Sequence, residues 1–272
     1  MVRLVETYDD DLRTFEADGA AVLPQTTEQG YVEHDGARIW YCSYGSGPAV
    51  IMLHGGMGHG GNWGYQVPAL LDASNRAVLI DSRGHGRSTR DAQPYTYELM
   101  ASDVLAVMDA VHLHQAAVVG WSDGACIALT MAMTVPARVA GVFFFACNMD
   151  PSGVKEIEPS PLLDRCFHRH AEDYARLSAT PDQFKAFAEA VGLMQRTQPN
   201  TSAAELARIR VPVAIVHSEH DEFIKREHAE YLARSIPGAE LIVLPGVSHF
   251  APLQRPAQFN DVLVGFLERL HA

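Results

Sequence analysis

Gly120-Trp121-Ser122-Asp123-Gly124 decides the reading of this chain. The apolar run Ala116-Ala117-Val118-Val119 precedes it and reads as a buried strand. Ala125-Cys126-Ile127-Ala128-Leu129 follows it and reads as the start of a buried helix. A serine between two glycines at a sharp strand-to-helix turn has the pattern of a nucleophile elbow. Such a turn forces strained backbone angles on Ser122. Gly120 and Gly124 lack the Cβ atoms that would collide with the neighbouring strand and helix. The amino end of the helix points free N–H groups and a partial positive charge at whatever sits over Ser122.

A serine hydroxyl is a poor nucleophile until a base takes its proton, and the base needs an acid to orient it. Downstream, Val211-Pro212-Val213-Ala214-Ile215-Val216 reads as a buried strand running into His217-Ser218-Glu219-His220-Asp221-Glu222. Ala239-Glu240-Leu241-Ile242-Val243-Leu244 reads as another, ending in Pro245-Gly246-Val247-Ser248-His249-Phe250. Both loops leave the carboxyl ends of strands, where open α/β sheets place their sites. Asp221 is the expected acid and His249 the expected base. Glu219, Glu222 and Asp150 are the rival acids. His217, His220 and His228 are rival bases that sit too close in sequence to the acid loop. His112, His114 and His271 read as solvated imidazoles at helix ends.

Four blocks together resemble the α/β-hydrolase fold superfamily, in its small esterase, lactonase and carbon–carbon hydrolase branch. They are Leu53-His54-Gly55-Gly56-Met57-Gly58, Asp81-Ser82-Arg83-Gly84-His85-Gly86-Arg87-Ser88, the elbow, and the paired Asp221 and His249 loops. The resemblance implies an α/β, mostly parallel, doubly wound sheet with a helical cap. It implies an oxyanion hole from the main-chain N–H groups of Gly56 and Asp123, with Met57 as the alternative to Gly56. The chain departs from the family at Ala125 and Ser218, where glycine is common. His54, His85 and the Asp81 block read as structural, with Arg83 or His85 as the remaining candidates for a substrate contact. Trp121, Met149, Phe167 and Phe250 are the candidate substrate contacts.

The chain has 272 residues, 47% of them hydrophobic, enough for one α/β domain with an insertion. A formal charge of −12 argues against nucleic acid or an anionic membrane as partner. Cys42, Cys126, Cys147 and Cys166 lack C-x-x-C spacing and read as free thiols. The first eleven residues carry no signal-peptide apolar core and no run is long enough to span a membrane, so a cytoplasmic protein is expected. Tyr31–His34 and Ala37–Cys42 flank Asp35-Gly36, a hairpin signal. Thr96 can cap a helix through Val111.

Residues 1–29 read as an N-terminal extension, 30–147 and 203–272 as the core, and 148–202 as the cap. Arg165, His168, Arg169 and His170 in the cap either read a substrate carboxylate or form a solvated face. The pattern calls for no metal and no cofactor. The expected activity is hydrolysis of a small, mainly apolar acyl substrate (an ester, lactone or thioester) through an acyl-enzyme on Ser122. A carbon–carbon bond hydrolase with perhydrolase side activity is one alternative, and a non-catalytic ligand binder of the same fold is another. Homo-oligomerisation is left open.

Overall fold

The computed structural model describes residues 9–270; His271 and the first eight residues, including most of the stretch read for a signal peptide, lie outside the described part. Eight strands form one sheet: β1 Glu28–His34, β2 Ala37–Tyr44, β3 Ala49–Leu53, β4 Arg76–Ile80, β5 Ala116–Trp121, β6 Val139–Phe145, β7 Val213–Ser218 and β8 Glu240–Leu244. The helices are α1 Arg13–Asp18, α2 Gln66–Asp72, α3 Tyr97–Ala110, α4 Asp123–Thr134, α5 Pro161–Leu177, α6 Phe184–Thr197, α7 Ala203–Leu206, α8 Arg226–Ser235, α9 Ala251–Gln254 and α10 Pro256–Leu270. The strand order is β1-β2-β4-β3-β5-β6-β7-β8. Pairs β1–β2 and β2–β4 are antiparallel and the others parallel.

The antiparallel start follows from Asp35-Gly36. His34 pairs with Ala37, and φ of 40° at Asp35 and 79° at Gly36 make the two-residue turn whose twist suits a hairpin. Successive side chains of a strand point to opposite faces, so the sheet feeds two cores. Ile51, Val78 and Val118 pack with α3 and α4 on one face. Val50, Met52, Leu79 and Phe143 pack with Trp63, Val67, Phe259 and Leu263 on the other. Every residue of β5 and β7 is buried, as strands covered on both faces must be. Thr96 caps α3 by accepting from the Leu99 N–H at 3.0 Å, and Val111 closes that helix.

Several strand bounds differ from the sequence reading, and two of the differences have a clear cause. The apolar stretch Gly141–Cys147 reads in the sequence as one strand, but β6 stops at Phe145, because Ala146 turns to φ 56° while its N–H still donates to the Val216 carbonyl at 3.0 Å. β7 starts at Val213, since Pro212 has no N–H for the ladder and contributes only its carbonyl, to Val142.

Between β6 and β7 the chain makes a long excursion carrying α5 and α6. Its entrance is tied to the loop after β7 by the Val154–Ile224 bridge and by Lys155 Nζ on the Asp221 carbonyl at 2.6 Å. Residues 9–27 lie against the domain. Leu12 and Phe15 are buried, Arg165 and Arg169 of α5 donate to the carbonyls of Asp11 and Glu16, and a Cβ on Gly64 would meet the Ala21 carbonyl at 1.8 Å. All four cysteines are buried free thiols. No helix among the described residues is long and apolar enough to cross a membrane.

Candidate active site

β5 delivers Ser122 directly into α4. Its backbone sits at φ 54°, ψ −122°, a conformation L-residues rarely adopt, and its N–H donates to the Phe145 carbonyl at 2.9 Å. The glycines make the turn possible by close backbone approach. A Cβ at Gly120 would lie 2.3 Å from the Gly124 carbonyl oxygen, and one at Gly124 2.2 Å from that of Leu53. Asp123 is the first helical residue of α4, so its N–H has no partner within the helix. Gly55 lies against the Ser122 Cβ, with 3.2 Å between that atom and a Cβ built on the glycine.

Asp221 and His249 come from the loops after β7 and β8. His249 Nδ1 and Asp221 Oδ2 are 3.0 Å apart. The other carboxyl oxygen of Asp221 accepts from the main chain of Phe223 at 2.9 Å and Ile224 at 2.8 Å. Burial pushes the Asp221 carboxyl up, but the His249 charge and hydrogen bond and the two main-chain donors outweigh it and hold the group below the usual range. The His249 ring is boxed edge-on by Phe223 at 4.7 Å, and Trp121 Nε1 donates to the His249 carbonyl at 2.9 Å.

The rivals are engaged elsewhere. Glu222 accepts from the His249 main-chain N–H at 2.9 Å rather than from the ring, and Glu219 accepts from the Gly246 N–H at 2.8 Å. Asp150 caps the turn at Ser152 and lies 3.8 Å from His228, whose Nε2 accepts from the Met149 N–H. His217 is buried and His220 is exposed beside Glu219. His54 accepts the Ser82 N–H at Nε2 and bonds the Gly55 carbonyl through Nδ1, while burial pulls its pKa down to about 4. Asp81 accepts from the N–H groups of Gly60 and Arg87, and Arg83 is fully buried on Asp103. The side chains of His54, Asp81 and Arg83 therefore build the loops and, like His85, do not line the cavity.

Ser122 and His249 line one cavity of about 490 Å³ together with Gly56, Met57, Asp123 and Trp121. Phe167, which is also exposed to solvent, and Phe250 line it too. Met149 does not: its side chain is fully buried in the core on the α4 face of the sheet. Of the four basic candidates in the excursion, only His170 reaches the cavity. Arg165 and Arg169 hold residues 9–27, and Arg169 also pairs with Asp173; His168 is exposed beside Glu172. Burial lowers the His170 pKa to about 4, so it is neutral at physiological pH.

The sequence reading did not single out Asn62, Tyr97, Gln195, Arg196 or Phe223, which also line the cavity. A helical signal for His170 was present: Cys166, His170 and Tyr174 follow a four-residue spacing and share the buried face of α5. Gln195 carried no such signal, because its partner Asp123 is 72 positions away. Among the described residues no group of three or more histidines, cysteines or carboxylates is arranged to hold a metal ion.

The pattern of the Alpha/beta hydrolase family matches residues 50–262. The chain belongs to that family. This α/β hydrolase is similar to the structure of Est816, described as an N-acyl homoserine lactone degrading enzyme. The two share 30% identity with a TM-score of 0.70, covering 87% of this chain and 100% of Est816. It is 25% identical to the human serine hydrolase BPHL, over 92% of this chain and 89% of that protein. It is 22% identical to pig (Sus scrofa) bifunctional epoxide hydrolase 2 over 90% of its own length, but spans only 56% of that relative. The meta-cleavage product hydrolase of Pseudomonas fluorescens IP01 shares its fold, with a TM-score of 0.74 at 22% identity over 88% of this chain and 97% of that one.

Proposed function

We propose that this α/β hydrolase cleaves small, mainly apolar carboxylic esters, lactones or thioesters through an acyl-enzyme on Ser122. In this reading His249 takes the Ser122 proton as Ser122 attacks the acyl carbonyl, then gives it to the leaving group. Asp221 holds the imidazole with its proton on Nδ1, leaving Nε2 free to accept. The Gly56 and Asp123 N–H groups, with Met57 as the alternative to Gly56, receive the charge that develops on the carbonyl oxygen. Water, activated by the same imidazole, releases the acid. No step calls for a metal or cofactor. The excursion at 148–202 serves as the cap over the site.

The Asp221–His249 pair at 3.0 Å, on the wall that also carries the strained Ser122, is the observation that carries this proposal. Met57, Trp121, Phe167, Phe223, Ile224 and Phe250 give the cavity a largely apolar lining, which favours apolar acyl chains. The likeness to Est816 supports lactones within the substrate range.

A fluorophosphonate probe should label Ser122 stoichiometrically, and p-nitrophenyl butyrate should turn over at an unchanged rate in EDTA. Absence of both labelling and turnover would favour a ligand-binding role for the same cavity. Loss of rate in EDTA, restored by a divalent ion, would overturn the cofactor-free mechanism.

A further inference from the structure

Gly56 is bare for a specific reason. A Cβ on it would lie 2.6 Å from Gln195 Nε2 and 2.7 Å from Asp123 Oδ2. Two polar groups from distant parts of the chain are thus packed against the Cα of a glycine in the loop beside Ser122. Gln195 sits in the last turns of α6, where Val191 and Met194 face inward, and it is itself half-buried on the cavity wall. Its Nε2 donates to Asp123 Oδ2 at 3.0 Å. Tyr97, at the head of α3, donates its hydroxyl to Asp123 Oδ1 at 2.8 Å. The carboxyl therefore accepts on both oxygens, and it fixes which end of the Gln195 amide faces Gly56: the NH2 group, not the carbonyl.

An amide NH2 group carries two hydrogens, and Asp123 takes one. We propose that Gln195 donates the other to the acyl oxygen of the substrate, so that α6 adds a side-chain donor to the two main-chain donors at Gly56 and Asp123. Asp123 then has two roles through different atoms: its N–H faces the reacting oxygen, and its carboxyl, oriented by Tyr97, anchors Gln195. The donor set is complete only when α6 is docked, which links substrate enclosure to charge stabilisation. A donor at that oxygen acts most strongly where negative charge has developed, so it speeds turnover more than it tightens ground-state binding.

This inference rests on the proposed chemistry at Ser122. The test is Gln195→Met, which keeps chain length and helix propensity but removes the donor. Both kcat and KM are measured on p-nitrophenyl butyrate, along with the inhibition constant of an aryl trifluoromethyl ketone, whose serine adduct carries an oxyanion. The expected result is a fall in kcat/KM of about tenfold to a hundredfold, mostly in kcat, with a matching weakening of the ketone and an unchanged Tm. Gln195→Glu, which sets an acceptor against Asp123, should lose at least as much at neutral pH.

A rise in KM alone with the ketone unaffected, or wild-type kinetics in Gln195→Met, overturns the inference. Fluorophosphonate labelling separates the two levels. No labelling of Ser122 in the wild-type protein overturns the hydrolase reading and this inference with it. Labelling of Ser122 together with an unaffected Gln195→Met variant overturns this inference alone.

Discussion

The elbow and the excursion between β6 and β7 face each other across one cavity, yet they are held by different kinds of contact. Around Ser122 the constraints are backbone against backbone: the Cβ positions of Gly120 and Gly124 fall on carbonyl oxygens that belong to a strand and a helix turn and cannot yield. Beyond the main-chain ties at its entrance, the excursion is held over the site largely through side chains. His59 Nε2 meets Asp173 Oδ2 at 3.3 Å, 114 positions apart, and Gln195 meets Asp123 across 72. Of the excursion's two glycines, Gly153 is pressed against a side chain, the His228 ring, at 2.4 Å from a Cβ, while Gly192 is nearly unconstrained. A Cβ on Gly192, inside α6, would meet only the far end of the Arg196 side chain, at 3.0 Å. The two walls therefore tolerate change very differently: the first is a fixed frame, and the second is a surface on which the cavity can be re-cut.

Substitutions at the frame should be the most damaging to catalysis. Ser122→Ala should lower ester hydrolysis by about a thousandfold or more while Tm stays within a few degrees, because alanine meets the same backbone strain as serine. Near-normal turnover in that variant would remove the elbow from the mechanism. Asp221→Asn should cost roughly a hundredfold to ten-thousandfold, since the amide can hold His249 in the wrong tautomer. Asp150→Asn, on the excursion side, should stay within a few-fold, its carboxyl being occupied by Ser152 and His228. The reverse ranking in steady-state kinetics would put the acid one strand earlier.

Stability should divide the same way. Gly124→Ala drives a Cβ into the carbonyls of Leu53 and His54 and should cost about 3 kcal/mol or more, measured by urea unfolding. Gly192→Ala replaces a helix-interior glycine beside a movable arginine and should gain about 0.5–1 kcal/mol. Equal losses at both sites would abolish the contrast between the two walls.

A pH series probes the seam between the two walls. His54 and His85 of the core and His170 of α5 are all buried, and burial lowers their folded pKa values to about 4, about 3 and about 4. Unfolded histidine titrates near about 6.5. As pH falls from about 6.5 towards about 4, the unfolded chain takes up protons that the folded one refuses. Stability should therefore drop through that window, by up to about 1.4 kcal/mol per pH unit for each histidine, while these three groups leave it flat above about pH 7. His170→Phe should make the drop shallower in urea titrations at pH 7.5 and 5. An identical slope in the variant would mean that His170 is not held neutral by the folded state.

Much of this was legible without coordinates, and for a physical reason. The elbow, the Asp35-Gly36 hairpin and the strand-end positions of Asp221 and His249 depend on near neighbours in the chain: glycines at turns, apolar runs of strand length, and loops that must leave a strand's carboxyl end. Local sterics and periodicity suffice to read such features. Tertiary structure decided what lies at long range. Met149 went to the core although it follows a strand that ends at the site, because the chain turns at Ala146. Arg165 and Arg169, readable as substrate-binding cations, were drawn to the carbonyls of Asp11 and Glu16. Gln195 reached Asp123 and Gly56 only because α6 docks over the glycine loop. A turn encodes its own geometry within a few residues, whereas the partner of an amphipathic helix face is chosen by packing against elements a hundred positions away, and nothing in the helix's own spacing names that partner.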